Sequence, residues 1–210
     1  MKQLIIGALE QLRADAEEFG DLDAALGDGD LGVTVASGAV AVIERLRALN
    51  ADTTPSDTIR DAAIAFGSAN PSTFSALVQG ALLQSSTVNL SGLSPIEALQ
   101  AVLDASASSI AANGRTAPGD KTVLDPLLAV SDELREQTEL SPSVYVNLAR
   151  VAAERTNQLK SSVSLKGRAA WLRDRSIGLA DPGSVVLVRF FEALADQNPP
   201  GPGDNHGSGI

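Results

Sequence analysis

Four pairs of a short polar residue and a proline divide the chain into apolar segments. They are Thr54-Pro55, Ser94-Pro95, Ser141-Pro142 and Asp181-Pro182. Such pairs typically begin a helix, because the polar side chain caps free N–H groups and proline has no N–H to leave unpaired. The apolar residues after each pair recur at spacings of three and four, which is the helical period. The sequence therefore predicts an all-α protein.

The same period indicates about eight helices and no convincing strand. We expect them to begin near Leu4, Val35, Pro55, Pro71, Pro95, Thr122, Pro142 and Pro182. Aromatic residues make up only 3% of the chain, so the core must consist mainly of alanine, leucine, valine and isoleucine. We expect one domain over residues 1–197 and a disordered, Gly/Pro-rich tail over residues 198–210.

Composition and charge exclude several kinds of function. The formal net charge is -10, which repels phosphate backbones and argues against a nucleic-acid partner. The chain has no cysteine, and its single histidine, His206, lies in the tail. Carboxylates and hydroxyls therefore remain as metal ligands or bases. Since neither a targeting signal nor a membrane-spanning stretch is visible, we expect a cytoplasmic protein with no membrane partner.

An aspartate-rich segment is predicted as a loop between Phe19 and Leu31. Its four aspartates are Asp21, Asp23, Asp28 and Asp30. Gly27 and Gly29 would let the backbone turn tightly enough to bring three of them, Asp23, Asp28 and Asp30, to one point. Carboxylates this close repel each other unless a cation is bound, and oxygen ligands suit Mg²⁺ or Ca²⁺. The spacing is equally compatible with a solvated acidic turn in which Asp30 caps the next helix.

Two further loops contain candidate anion ligands. The first of them extends from Asn113 to Lys121. Lys121 and the following Thr122 could contact phosphate. Alternatively, the segment is a Gly/Pro turn in which Asp120 caps the next helix. Pro126 then either kinks the next helix or places its start at Asp125. Between residues 161 and 182, three arginines and the only tryptophan occur in an acidic chain. These arginines could bind an anion, or could pair with local aspartates.

The three loops together resemble the nucleotide-binding L domain of dihydroxyacetone kinases. The segments that carry the resemblance are LDAALGDGDLG, GRTAPGDKTVLDPL and GRAAWLRDRSIGLADPG, within a similarity that extends from about Asp23 to Leu194. The resemblance implies a closed barrel of eight antiparallel helices with the nucleotide at one end. It also implies that Asp23, Asp28 and Asp30 hold two Mg²⁺ ions that bridge the phosphates of ADP or ATP and take part in catalysis.

The resemblance further implies which residues surround the nucleotide. They are Leu31, Gly32, Val33, Thr34, Ser68, Ala69, Asn70, Gly114, Thr122, Val123, Arg168, Asp181, Pro182 and Gly183. Two features depart from the family pattern. Leu31 and Thr34 stand where family members commonly have histidine and asparagine, and the segment 66–74 has fewer glycines than the family's Gly-rich loop. These changes indicate a divergent branch.

The expected function is that of a kinase subunit acting with a partner. In such an enzyme a separate K subunit holds a small hydroxyketone, and this chain supplies the phosphoryl group. The donor is either exchangeable ATP, or a retained ADP that a phosphotransferase-system protein rephosphorylates. Two alternatives stay open: a stand-alone metal-dependent phosphatase or nucleotide hydrolase, and a non-catalytic nucleotide-binding regulatory module. A homodimer is also compatible with the sequence.

Overall fold

The computed structural model describes residues 1–199, and these residues form nine α-helices and two short 3₁₀ segments without any strand. The α-helices are α1 (Lys2–Ala14), α2 (Ala16–Leu26), α3 (Leu31–Ala48), α4 (Pro55–Ala69), α5 (Thr73–Ser86), α6 (Pro95–Gly114), α7 (Leu124–Arg135), α8 (Pro142–Gln158) and α9 (Pro182–Asp196). The 3₁₀ segments are η1 (Leu159–Ser161) and η2 (Arg168–Ser176). Residues 200–210 of the predicted tail lie outside the described residues.

Eight of the helices close into a ring. Each of α3 to α8 packs against the next helix in the chain, and α1 packs against both α3 and α9. Consecutive helices that pack side by side run antiparallel, and their connections are short except for the one between α8 and α9. The ninth helix, α2, lies across one end against α3 and α9. The predicted all-α barrel of eight antiparallel helices is confirmed, with α2 as an additional element.

Small and aliphatic side chains fill the barrel. One buried cluster is formed mainly by α6 to α9, and a second mainly by α1, α3 and α4, with Phe19 of α2. The start of α3 packs so closely on α2 that a Cβ atom at Gly32 would collide with the carbonyl oxygen of Ala16. Among residues 1–199, no helix combines the length and the hydropathy needed to cross a bilayer.

The predicted loop between Phe19 and Leu31 is wrong for most of its length. The first helix ends at Ala14, and α2 then continues to Leu26, so only residues 27–30 connect it to α3. The reason is an apolar pair seven positions apart, because Phe19 and Leu26 are both buried on the same face of α2. Gly27 is the first residue after the end of α2.

Candidate functional site

Four connections meet at the end of the barrel where α3, α5, α7 and α9 begin. The hydroxyl of Thr34 in α3 donates to Ser72 Oγ, 3.3 Å away, before α5. The Lys121 ammonium before α7 donates to the carbonyl of Ser176, 2.7 Å away, before α9. Arg168 of η2 forms an ion pair with Asp28, between α2 and α3. Residues from all the predicted site loops therefore lie at the same end of the barrel.

Three aspartates converge where α2 ends and α3 begins. Asp23, Asp28 and Asp30 each offer a carboxylate oxygen, and the three oxygens lie within 4.8 Å of one another. Gly29, with φ of +77°, allows the tight reversal between Asp28 and Asp30. The N–H of Asp30 donates to Asp23 Oδ2 at 3.1 Å, which fixes two of the three relative to each other. This all-oxygen donor set fits a hard divalent cation.

Asp30 occupies the N-cap position of α3 but its carboxylate does not cap the helix. Of the two interpretations of the aspartates, the arrangement therefore fits the metal cluster better than the capping turn. Arg168 presents its guanidinium to Asp28, and both side chains are about half exposed. A cation supplied by this same chain thus lies beside the carboxylates.

The first turn of α3 offers backbone rather than side chains to a ligand. Leu31 and Thr34 are buried, and Gly32 faces α2. The side chain of Val33 is 62% exposed. Because the first N–H groups of a helix have no partner inside it, Leu31, Gly32 and Val33 can present theirs to an anion. Any phosphate contact made here must use those groups.

The segment between α4 and α5 is shorter than the sequence predicts. Most of the segment 66–74 is helical rather than a loop, because α4 continues through Ser68 to Ala69 and α5 begins at Thr73. The N–H groups of Ser68 and Ala69 therefore belong to helical hydrogen bonding. Asn70 is extended, and Ser72 caps α5 through a reciprocal hydrogen-bond pair with Ser75. Only residues 70–72 remain outside helices near the site.

The connection between α6 and α7 is organised by Asp125 rather than by Asp120. The Asp125 carboxylate is buried and accepts from the N–H groups of Gly119, at 2.6 Å, and Thr122, at 3.0 Å. Asp120 instead closes the preceding turn, where it accepts from the N–H of Ala117. Since α7 begins at Leu124, Pro126 lies in its first turn, where its missing N–H leaves no bond broken.

The predicted nucleotide residues of this connection lie at its two ends. Gly114 is the last residue of α6, and it is followed by Arg115 in the left-handed conformation. Thr122 and Val123 are half-buried just before α7, and the hydroxyl of Thr122 lies 3.1 Å from that of Thr116. The structure brings both ends to the site end of the barrel.

Lys121 is almost fully buried, contrary to the prediction that it could meet phosphate. Only 2% of its surface is exposed, and its ammonium donates to the carbonyls of Ser162, at 2.8 Å, and Ser176, at 2.7 Å. A third carbonyl, that of Lys160, lies 3.3 Å away. Burial lowers the pKa of Lys121, and the charge of Asp181 partly offsets this effect.

Asp181, Pro182 and Gly183 form the start of α9. The carboxylate of Asp181 caps the helix, accepting from the N–H of Ser184 at 2.7 Å and its hydroxyl at 2.8 Å. Desolvation raises the pKa of Asp181 to about 6, although the Ser184 hydrogen bonds act in the opposite direction. Pro182 is buried, and a Cβ at Gly183 would come within 3.2 Å of the Phe74 ring.

A family model identifies the chain. The model described as the DAK2 domain matches residues 25–196. The ADP-binding subunit DhaL of the PEP-dependent dihydroxyacetone kinase of Escherichia coli K12 is 27% identical, over 86% of this chain and 88% of that protein. The corresponding subunit of the Listeria innocua kinase 1 is 29% identical, over 88% of this chain and 89% of its own length.

Longer proteins also contain this unit. The L-erythrulose 1-kinase of Mycolicibacterium smegmatis is 29% identical over 91% of this chain, which spans only 34% of that enzyme. The dihydroxyacetone kinase of C. freundii, solved with AMP-PNP and Mg²⁺, shares the fold with a TM-score of 0.72 and 20% identity. That likeness covers 94% of this chain and 33% of the solved chain. The chain described here belongs to the DAK2 domain family.

Proposed function

We propose that this protein is the nucleotide-binding subunit of a small-hydroxyketone kinase. It would hold ADP or ATP with two Mg²⁺ ions at Asp23, Asp28 and Asp30. The observation that carries the proposal is the convergence of these three carboxylates beside the start of α3. When bound, the metal ions neutralise phosphate charge and so favour transfer of a phosphoryl group.

The residues of this chain orient the phosphates and supply positive charge. The free N–H groups at the start of α3 follow directly after Asp30 of the cluster and would attract anions. Arg168, already beside Asp28, is close enough to exchange its carboxylate partner for a phosphate oxygen. The starts of α7 and α9, with Thr122 and Gly183, would frame the rest of the nucleotide.

The acceptor would come from a partner subunit. The three aspartates would be occupied by metal, so they are poorly suited to act as a base toward a hydroxyl group. The two DhaL relatives are named as ADP-binding subunits, and the erythrulose kinase is about three times the length matched by this chain. Both facts support a separate K-type subunit that holds the hydroxyketone. We place the reaction in the cytoplasm.

Calorimetric titration with ADP in the presence and absence of Mg²⁺ tests this function. We expect Mg²⁺-dependent binding to wild type and a loss of about 10- to 100-fold in affinity for Asp28→Asn, since the metal cluster loses one of its three carboxylate charges. Asp21→Asn is the matched control, because Asp21 lies on α2 outside the cluster. Equal ADP affinity in all three proteins would refute the proposal.

The form in which the nucleotide is held decides between the two donors. Mass spectrometry of the purified protein would show ADP if the nucleotide is retained and rephosphorylated in place by a phosphotransferase-system protein. The designation of the DhaL relatives as PEP-dependent supports this version. Rapid exchange with added ATP, with no retained ADP, would support the exchangeable donor instead.

One observation favours a second candidate, a nucleotide-binding regulatory module. Because α4 extends to Ala69, the backbone N–H groups of Ser68 and Ala69 take part in helical hydrogen bonds and are poorly placed to bind a γ-phosphate. A module without catalysis would bind Mg²⁺ and ADP yet fail to phosphorylate dihydroxyacetone when mixed with a hydroxyketone-binding K-type subunit. Phosphate release from ATP by this chain alone would instead identify a hydrolase.

A further inference from the structure

The long connection between α8 and α9 is closed at its base by a lysine from a different loop. The carbonyls that accept from Lys121 belong to Lys160 and Ser162 at the beginning of the connection and to Ser176 near its end. An ammonium has three N–H donors, so these three carbonyls use its full capacity. Lys121 therefore joins the two ends of the segment 160–176.

Other hydrogen bonds converge on the same base. The N–H of Gly178 donates to the carbonyl of Lys160 at 2.7 Å, and the N–H of Ser164 donates to Ser176 Oγ at 2.9 Å. The N–H of Leu165 donates to the carbonyl of Asp120, next to Lys121, at 3.1 Å. The segment is thus anchored to the turn before α7.

Beyond the base, the outer part of the segment is held by two partly exposed ion pairs, Lys166 with Asp120 and Arg168 with Asp28. From 165 to 175 no residue is buried, and Trp171 is 83% exposed. Arg168 lies in this outer part, and its contact with Asp28 is an exposed ion pair, which by itself contributes little to stability. The placement of the Arg168 guanidinium therefore depends on the closed base.

We propose that Lys121 is a positioning residue for the nucleotide site, which acts by holding the segment 160–176 so that Arg168 faces Asp28 and the phosphates. It does so without touching the nucleotide. This inference rests on the proposed function, because Arg168 has a role only if an anion binds beside the aspartates.

Replacing Lys121 by methionine keeps the length of the side chain but leaves three carbonyls without their donor. We expect Lys121→Met to weaken Mg²⁺–ADP binding by about 10- to 100-fold, because Arg168 is no longer held in place. Lys166→Met is the matched control, since Lys166 is on the same segment and its ammonium is a partly exposed partner of Asp120. We expect that variant to bind as wild type does.

A double-mutant cycle with Arg168→Gln separates positioning from direct contact. If Lys121 acts through Arg168, the double variant binds ADP no more weakly than Arg168→Gln alone. Losses that multiply would contradict the proposal, and so would an unchanged affinity in Lys121→Met. Should that variant fail to fold, Lys121→Gln, whose amide removes the charge but can still donate to a carbonyl, takes its place in the cycle.

Hydrogen–deuterium exchange without nucleotide tests the same contact independently of the proposed function. We expect faster exchange in peptides covering residues 160–178 of Lys121→Met, and unchanged exchange in α3 and α8. Unchanged exchange in the segment would overturn the inference even if ADP binds. If exchange rises but wild type does not bind Mg²⁺–ADP, the proposed function fails while the anchoring contact stands.

Discussion

The guanidinium of Arg168 forms an ion pair with the carboxylate of Asp28, and so brings the connection before α9 over the loop between α2 and α3. Asp28 is also one of three aspartates whose oxygens lie within 4.8 Å of each other. An arginine and a divalent cation thus compete for the same carboxylate. Phosphate offers Arg168 another partner once a nucleotide arrives.

Arg168→Gln should therefore have opposite effects on metal and nucleotide. We expect the affinity for Mn²⁺ alone to rise by about two- to fivefold, because an exposed ion pair that competes for Asp28 is removed. The affinity for ADP with Mg²⁺ should fall by about tenfold or more, because a charged hydrogen bond to phosphate is lost. Electron paramagnetic resonance of free Mn²⁺ and calorimetry measure the two quantities.

Arg175→Gln is the control for that experiment, since Arg175 is an exposed arginine of the same 3₁₀ segment. It should leave both affinities close to wild type. A fall in both affinities for Arg168→Gln would show that Arg168 supports the metal cluster rather than competing with the metal.

Gly32→Ala should destabilise the protein through the contact between α2 and α3. The added methyl group would overlap the carbonyl oxygen of Ala16, so one helix must move. We expect a loss of about 1–3 kcal/mol in the free energy of unfolding, measured by urea denaturation. Gly20→Ala is the matched control on α2, because its Cβ would meet nothing closer than 3.7 Å. That helical change should be neutral or stabilising.

The pKa of Asp181 predicts how stability changes with pH. Its pKa is about 6 in the folded protein and 3.8 ordinarily, so between these values the folded state binds more protons than the unfolded state. Wild type should lose stability relative to Asp181→Asn as pH rises from about 4 to about 7, by on the order of 2–3 kcal/mol. Urea denaturation of both proteins across this range gives the difference.

Glu97→Gln provides a comparison of opposite sign. Hydrogen bonds from Ser94 lower the pKa of Glu97, so the stabilisation is present at neutral pH and is lost as pH falls through the folded value. The excess stability of wild type over Glu97→Gln should therefore shrink in acid.

A constant difference in the free energy of unfolding between wild type and Asp181→Asn at all pH values would contradict the pKa assigned to Asp181.

The helices of the barrel wall could be predicted because their starts are encoded locally. Thr54 accepts from the N–H of Asp57, as its position before Pro55 indicates, and Ser94 and Glu97 form the capping box that their spacing predicts. The sequence does not predict helix α2, because its aspartates and Gly20 are typical of a loop. The segment is helical because Phe19 and Leu26 are buried on one face, and this burial comes from tertiary packing.

The candidate site was predictable only where its residues are close in sequence. Asp23, Asp28 and Asp30 come together through one short loop, and glycine spacing indicates this. The role of Lys121 could not be predicted, because its carbonyl partners lie 39 to 55 residues away and backbone carbonyls carry no sequence signal. Arg168 and Asp28 are likewise far apart in sequence, so the sequence does not indicate which aspartate pairs with Arg168.

Anomalous diffraction from crystals grown with Mn²⁺ and ADP would show directly whether the aspartate cluster holds metal beside the nucleotide. We expect anomalous peaks within coordination distance of Asp23, Asp28 and Asp30, with the diphosphate between the metal and the start of α3. A nucleotide bound elsewhere, or these three carboxylates turned away from an unoccupied cluster at saturating Mn²⁺ and ADP, would contradict it.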